Sequence, residues 1–209
     1  MGRPKIPKQD NQHFGLKVAL RHTTLRQGGF AQPVTVCETH GGVGRLAAAC
    51  YAHADTGLVI EKDEDRVNAL AFSRPSWRVY QGDAAILLAG GLGSDVVWSV
   101  LDCDPWGSPW GTLTGFFTSS RLFAPVMALI VTDGARQKER LGGNHSHGWE
   151  PWKDRYGGSL WSVYLRCSQE RLAMLVRQAG YAVTWWHGRY AGASGQMTYW
   201  GAILTRASA

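Results

Sequence analysis

The sequence predicts an α/β fold with a doubly wound, seven-stranded, mainly parallel sheet and a C-terminal antiparallel hairpin. Three observations predict it. Short apolar runs alternate with helical stretches between about residues 33 and 132, which is the pattern of stacked βαβ units. A glycine-rich turn follows the first apolar run. The last two apolar runs have no helix between them, so they are expected to pair directly.

The predicted elements follow one another in regular order. The five parallel strands are expected at residues 34–38, 57–61, 77–80, 95–101 and 126–132, with helices at 44–52, 64–72, 83–88 and 112–123. A longer helix at 159–179 ends before Gly180, which suits a helix C-terminus. The hairpin strands are expected at 181–187 and 196–205. This arrangement is Rossmann-like.

Length and charge limit the organisation and the partners. A chain of 209 residues predicts one domain, at 31–209, preceded by a basic N-terminal arm at 1–30 that is partly flexible. Residues 134–158 form a polar stretch that predicts a long loop. The formal net charge of +6 favours an anionic partner, with nucleic acid ahead of a membrane because no long apolar span is present.

Cysteine and histidine spacing does not favour a metal site. The four cysteines, at positions 37, 50, 103 and 167, form no C-x-x-C motif, so neither a zinc knuckle nor a disulfide framework is expected and a reducing cytoplasm fits best. Cys103 is interpreted as a core residue. His145 and His147 have no third ligand near them, and a role for this loop in substrate binding is preferred.

The glycine-rich turn predicts a nucleotide-like cofactor. Gly42 and Gly44 open a helix directly after the first strand, where helix N–H groups face a ligand. Glu61 ends the second strand, where a carboxylate can accept ribose hydroxyls, and Asp83 follows the third. Residues 42–47 also fit G-x-G-x-x-A, so a nicotinamide-dependent oxidoreductase is the alternative. Against it, Glu38 would repel a pyrophosphate and attract the cationic methionine end of S-adenosylmethionine.

With this spacing of Glu38, Gly42 and Gly44, the chain resembles the class I S-adenosylmethionine-dependent methyltransferases. The resemblance covers nearly all of the sequence from residue 33. It implies S-adenosyl-L-methionine as the cofactor, Glu61 at the ribose and the Asp83-Ala84 pair beside the adenine. The full set of predicted cofactor-binding residues is Glu38, Thr39, Gly42, Gly44, Glu61, Lys62, Asp83, Ala84 and Asp102.

The turn after the fourth strand predicts the catalytic residues. Residues 102–109 read D-C-D-P-W-G-S-P, which taken alone also fits a strand end capped by a polar turn. The segment looks like the D-x-D-P-[aromatic]-G-S-P signature of tRNA guanine-N2 dimethyltransferases, and residues 131–133 resemble the T-D that ends their next strand. This resemblance implies that Asp104 contacts the exocyclic amine of the target guanine.

Elementary chemistry supports that role. An exocyclic amine is a poor nucleophile, and a carboxylate that accepts its N–H offsets the charge developing during methyl transfer. Pro105 would keep the turn rigid and Trp106 would stack on the base. Asp102 is expected to orient the sulfonium end of the donor.

The acceptor is left open by the sequence. Guanine N2 in RNA is favoured and a DNA base is the alternative, because DNA adenine and cytosine N-methyltransferases carry a related motif. A small-molecule or protein acceptor and a catalytically silent binding subunit are further alternatives. Substrate-binding residues are predicted at Arg136, Lys138 and His145, and a partner subunit or a homo-oligomer would supply further recognition.

Overall fold

The computed structural model describes residues 13–30, 35–54, 56–74, 76–140, 148–192 and 194–207. The strands are β1 Thr35–Thr39, β2 Thr56–Glu61, β3 Arg78–Gln81, β4 Val97–Cys103, β5 Leu122–Asp133, β6 Tyr181–Ala191 and β7 Met197–Arg206. The helices are α1 Phe14–Gln27, α2 Arg45–Cys50, α3 Glu64–Ser73, α4 Ala84–Ala89, α5 Trp110–Thr118, α6 Ala135–Arg140, α7 Glu150–Arg155 and α8 Tyr164–Gln178.

The strands form one sheet in the order β3-β2-β1-β4-β5-β7-β6. Neighbours among β1 to β5 are parallel, and β7 runs antiparallel between β5 and β6. The predicted fold class is therefore confirmed. The strand order reverses between β1 and β4, and in open sheets of this kind the ligand crevice lies outside the carboxyl ends of the strands at that point.

Two apolar cores cover the two faces of the sheet. Strand residues point alternately to opposite faces, so Val36 packs with α1 and α2, whereas the neighbouring Cys37 packs with α4, α5 and α8. Cys103 is fully buried in the second core, as predicted. No helix in the described part of the chain has the length and apolarity needed to cross a bilayer.

Helix α1 corrects the prediction of an arm over residues 1–30. Residues 14–27 are helical, and Leu20 and Leu25 are buried against the sheet. The prediction relied on the basic residues of this segment and did not take its apolar positions into account. At Gly201 of β7, a Cβ atom would lie 2.0 Å from Thr24 Oγ1, so the helix approaches the strand at a position that only glycine permits. Residues 1–12 lie outside the described residues.

The predicted loop at 134–158 also differs from the structure, because it contains α6 and α7. Trp149 and Trp152 are buried in the core beside α8, so α7 is anchored by aromatic packing. Two predicted helices are shorter than expected. Helix α5 ends at Thr118 because Phe123 joins the core within β5, and α8 begins at Tyr164.

Candidate active site

The predicted acids meet at the carboxyl edge of the sheet. Glu38 of β1 and Asp102 of β4 are direct register partners. Glu61 ends β2, and Asp83 follows β3 as the N-cap of α4, where its side chain accepts the backbone N–H groups of residues 85 and 86. Asp104 follows β4, and its backbone N–H donates to Thr39 O at 3.4 Å. The topology thus brings five carboxylates to the crevice.

The glycine-rich turn holds its shape by left-handed backbone conformations. His40, Gly42 and Gly44 have φ of 64°, 57° and 78°. Positive φ is uncommon for a residue with a side chain, and no feature of the sequence indicates it at His40. Burial lowers the pKa of His40, and its Nδ1 lies 3.1 Å from the hydroxyl of Thr39. Thr39 is buried, so its hydroxyl contacts other groups of the protein.

Glu61 fastens the turn to the end of β2. Its Oε2 accepts the N–H of Gly42 at 2.8 Å, and its Oε1 accepts the N–H groups of Lys62 and Asp63 at 2.7 and 3.1 Å. A carboxylate has about four acceptor sites, so about one is left for a ligand. Lys62 is exposed, and its Nζ lies 4.0 Å from Asp83.

Glu38 is the electrostatic anomaly of the site. Its side chain is 3% exposed, and its Oε2 is buried without a hydrogen-bond partner among the described residues. Burial, aided by the negative charge of Asp102, raises the pKa of Glu38 to about 8, although Arg74 acts in the opposite direction. An unsatisfied buried acceptor is costly. The site is therefore suited to a cationic or hydrogen-donating ligand.

Asp102 has a different role from the one predicted. Its carboxylate is fully buried and accepts two hydrogen bonds of 2.6 Å from Arg21 of α1, together with the hydroxyl of Tyr51 at 2.7 Å. Although burial opposes it, this pairing raises the pKa of Arg21. Since both oxygens of Asp102 are occupied within the protein, the side chain anchors α1 and α2 in this conformation and does not face a donor.

Asp104 is held ionised by a second cation from α1. The ammonium of Lys17 lies 2.6 and 2.7 Å from its two oxygens, and both side chains are 13% exposed. Burial alone would raise the pKa of Asp104, but Arg21 and Lys17, with a hydrogen bond from Thr132, hold it below its usual value. Lys17 therefore pairs with Asp104 within the protein at the edge of the crevice.

The rest of the turn exposes one large aromatic ring. Pro105 is buried, whereas Trp106 is 81% exposed. The N–H of Gly134 donates to Gly107 O at 3.0 Å, which fastens this turn to the end of β5. Asp133, the second residue of the T-D pair, is buried and accepts the hydroxyl of Tyr164 at 2.9 Å. Burial raises the pKa of Asp133 to about 6.

The predicted substrate-binding set is corrected at Arg136. Its guanidinium lies between the rings of Trp161 and Tyr190, at 3.4 and 3.8 Å from their centroids, and donates to the carbonyls of Trp161 and Gly195. Only 5% of Arg136 is exposed, so it is not available to a phosphate. The side chain of Lys138 and the whole of His145 lie outside the described residues. No cluster of three metal-ligating side chains occurs within the described ranges.

Solved structures share this fold. Trm1 from Pyrococcus horikoshii, solved with S-adenosyl-L-methionine, matches with a TM-score of 0.64 and 14% identity over 99% of this chain and 60% of that protein. The N-methyltransferase NodS from Bradyrhizobium japonicum WM9, solved with S-adenosyl-L-homocysteine, matches with a TM-score of 0.59 and 7% identity over 96% and 90%. The [4+2]-cyclase SpnF matches with a TM-score of 0.54 and 11% identity over 92% and 81%.

These likenesses establish the fold, which is that of class I methyltransferases. Because a cyclase shares it, the fold by itself does not select a reaction. No protein-family model matches the chain, and no curated protein is significantly similar to it in sequence. Any reaction must therefore be argued from the site.

Proposed function

We propose that the protein is an S-adenosyl-L-methionine-dependent methyltransferase that acts on an exocyclic amine of a nucleic-acid base, with guanine N2 in RNA ahead of a DNA base. The observation that carries the proposal is the buried, unpartnered oxygen of Glu38 beside the glycine turn, one strand away from the ionised Asp104. Such a pair suits a cationic donor next to an amine acceptor. Trm1 and NodS, which share the fold, support the same class of reaction.

The residues at the crevice fit the donor. Glu38 would hold its cationic methionine end, Gly42 and Gly44 would let the backbone approach it, and Glu61 would accept a ribose hydroxyl at its remaining site. Asp83 and Ala84 would lie beside the adenine. When bound, the donor supplies an electrophilic methyl group. A dinucleotide fits less well, because its anionic pyrophosphate offers no cation to replace the proton that Glu38 holds near neutral pH.

Asp104 acts on the acceptor by charge and not as a strong base. Its lowered pKa makes it a weak proton acceptor near neutral pH, so it would receive a hydrogen bond from the amine and stabilise the positive charge that grows on the nitrogen. The proton leaves to water after transfer. Lys17 must share the carboxylate or withdraw from it. Trp106, with its exposed ring at the same turn, would stack on the base.

A labelling experiment tests the proposal. The protein is incubated with methyl-labelled donor and, separately, with transfer RNA, ribosomal RNA, DNA and a protein pool. We expect label in RNA, and we expect calorimetry to detect donor binding in the absence of acceptor. Absence of donor binding by the native protein would overturn the enzyme class. Label in the protein pool alone would overturn the acceptor.

A further inference from the structure

We propose that single-stranded RNA lies along one face of the β6 edge strand, over Trp185, His187 and Arg189, beside helix α1, and that its target base enters the site at Asp104. We call these three residues the edge track. The inference rests on the proposed function and adds where the acceptor strand binds. It is carried by the charge of two chain segments, by the strand register and by ring stacking.

The surface around the edge track has no acid from its own elements. Residues 11–37 and 181–209, which include α1, β6 and β7, contain neither aspartate nor glutamate. They supply Lys17, Arg21 and Arg26 on α1 and Arg189 on β6. Lys17 and Arg21 are paired with the acids of the β4 turn, whereas Arg26 and Arg189 are exposed. A polyanion can therefore approach this face without meeting a local carboxylate.

Strand geometry places the edge track on the α1 side of the sheet. Trp185 packs against the core that contains Leu20 and Leu25 of α1, whereas Trp186 stacks on Trp200, at a centroid distance of 4.6 Å, in the core of the opposite face. A register irregularity between Val183 and Trp185 produces this arrangement. Because alternate strand residues share a face, His187 and Arg189 follow Trp185 on the α1 side.

The edge track has the chemistry of a single-strand platform. The rings of Trp185 and His187 are stacked, with centroids 6.1 Å apart and an interplanar angle of 21°, and His187 is exposed. Aromatic faces beside a cationic side chain bind successive bases and their phosphates. A duplex would keep its bases stacked inside, so an unpaired strand is the form of RNA that this surface fits.

The edge track leads to the proposed acceptor position. Arg189 is the direct cross-strand partner of Tyr199 on β7. The hydroxyl of Tyr199 lies 3.3 Å from His13 Nδ1, and its ring lies 5.9 Å from the ammonium of Lys17. Lys17 in turn contacts Asp104. Tyr199 is therefore the one residue that separates an RNA strand bound over Arg189 from the Lys17–Asp104 pair.

Fluorescence anisotropy with a fluorescein-labelled, single-stranded RNA of mixed sequence tests the inference. Each phosphate contact on a single strand contributes about 0.7 to the salt slope, so we expect Arg189→Gln to reduce the slope of log affinity against log salt by about 0.7. His187→Ala should weaken binding about fivefold, which is the low end for loss of one stacked base. Arg177→Gln is the matched control, because Arg177 is exposed on α8 in the opposite layer, and its slope should stay native.

Donor affinity measured by calorimetry confirms that each variant is folded. A native protein that binds RNA, but whose Arg189→Gln and Arg177→Gln variants have the same salt slope, overturns the edge track and leaves the proposed function intact. A native protein that binds the donor but no RNA overturns both the edge track and the proposed acceptor class. RNA binding with the expected loss in both edge-track variants supports the inference.

Discussion

The two acids that matter most in the site, Glu38 and Asp104, are treated in opposite ways by their surroundings. Glu38 has no hydrogen-bond partner for its buried Oε2 within the described residues, and burial raises its pKa to about 8. Asp104 lies between two cations and has a lowered pKa. When the pKa values of neighbouring acids are pushed apart, the two groups have separate roles. Here a proton can be exchanged for a cationic ligand at Glu38, while Asp104 keeps its charge.

Asp104→Asn tests the role of that charge. The amide keeps the shape of the side chain but cannot carry the negative charge that would stabilise the methylated nitrogen, so turnover should fall about 10²- to 10³-fold. Donor affinity should stay within about twofold, because Glu38 and the glycine turn are unchanged. Initial rates with labelled donor and calorimetry measure the two quantities.

Asp95→Asn serves as the control for Asp104→Asn. It removes a carboxylate whose exposed ion pair with Arg78 lies at the amino ends of β3 and β4, opposite the carboxyl edge that forms the crevice, so its turnover should be native. An Asp104→Asn protein that keeps a tenth or more of native turnover would contradict the assigned role.

Glu38 should also make stability depend on pH. Its pKa is about 8 in the folded protein against 4.5 as the ordinary value, so between those pH values the folded state holds a proton that the unfolded chain has lost. The free energy of unfolding therefore decreases as pH rises through that window, by up to about 1.4 kcal/mol per pH unit. Glu38→Gln cannot lose a proton, so the variant should gain stability relative to the native protein from pH 5 to pH 8.

Urea unfolding at pH 5, 6, 7 and 8 measures the difference between the two proteins, which cancels the titration of all other groups. Glu64→Gln, at the exposed first turn of α3, should show a constant difference. A constant difference for Glu38→Gln as well would mean that Glu38 does not hold the extra proton.

Helix α1 is the element that the structure adds to the predicted fold. It lies across β7 and delivers Lys17 and Arg21, one turn apart, to the two acids of the β4 turn. Residues four apart share a helix face. The pairing of this helix with a turn more than 80 residues away is not visible in the sequence. A buried pair such as Arg21 with Asp102 contributes little net stability when intact but is costly to break.

Double substitution tests this anchoring of α1. Arg21→Met leaves the fully buried Asp102 without its cation and should lower the free energy of unfolding by about 3–5 kcal/mol. Arg21→Met with Asp102→Asn removes both charges and should recover most of that loss, since Tyr51 can still donate to the amide oxygen. Arg26→Met, exposed on the same helix, should change stability by about 0.5 kcal/mol or less. Urea unfolding of the native protein and the three variants measures these free energies. A double variant as unstable as Arg21→Met alone would show that the Arg21–Asp102 pair does not anchor α1.

The sequence was sufficient where a local pattern determines the structure. Alternating apolar runs predicted the sheet, and strand ends predicted that Glu38, Glu61, Asp83 and Asp104 would meet. The sequence was insufficient where contacts between residues far apart along the chain determine the position of a side chain. The sequence around Arg136 resembles that around an exposed arginine. The two rings that enclose its side chain belong to Trp161 and Tyr190, which lie 25 and 54 residues away along the chain. Composition alone also could not distinguish a basic arm from a helix docked on β7.

Charge is distributed unevenly around the crevice. Helix α1 and strands β6 and β7 carry no acid, and the acid of α8, Glu170, lies on the opposite face of the sheet. The other side has Asp63, Glu64 and Asp65 at the start of α3 and Asp83 beyond β3. The acid-free surface therefore lies on the α1 side of the sheet. Under the proposed function, a polyanionic acceptor would be directed to the α1 side, and the side of Glu61 and Asp83 would be left to the smaller donor.

Salt should therefore affect the two ligands differently. If about three phosphates are neutralised, a plot of log affinity for single-stranded RNA against log salt concentration has a slope of about −2. Raising the salt concentration from about 50 to 200 mM should therefore lower the affinity about 10- to 20-fold. The initial rate of methyl transfer at subsaturating RNA should fall by the same factor. Donor affinity should change little, because Glu38 is buried and buried charges are screened much less than exposed ones. Labelled transfer and calorimetry at the two salt concentrations measure both. A transfer rate that does not change with salt, with donor affinity also constant, would show that the acid-free side does not bind the acceptor through its charge, and would favour a small, uncharged amine as the acceptor instead.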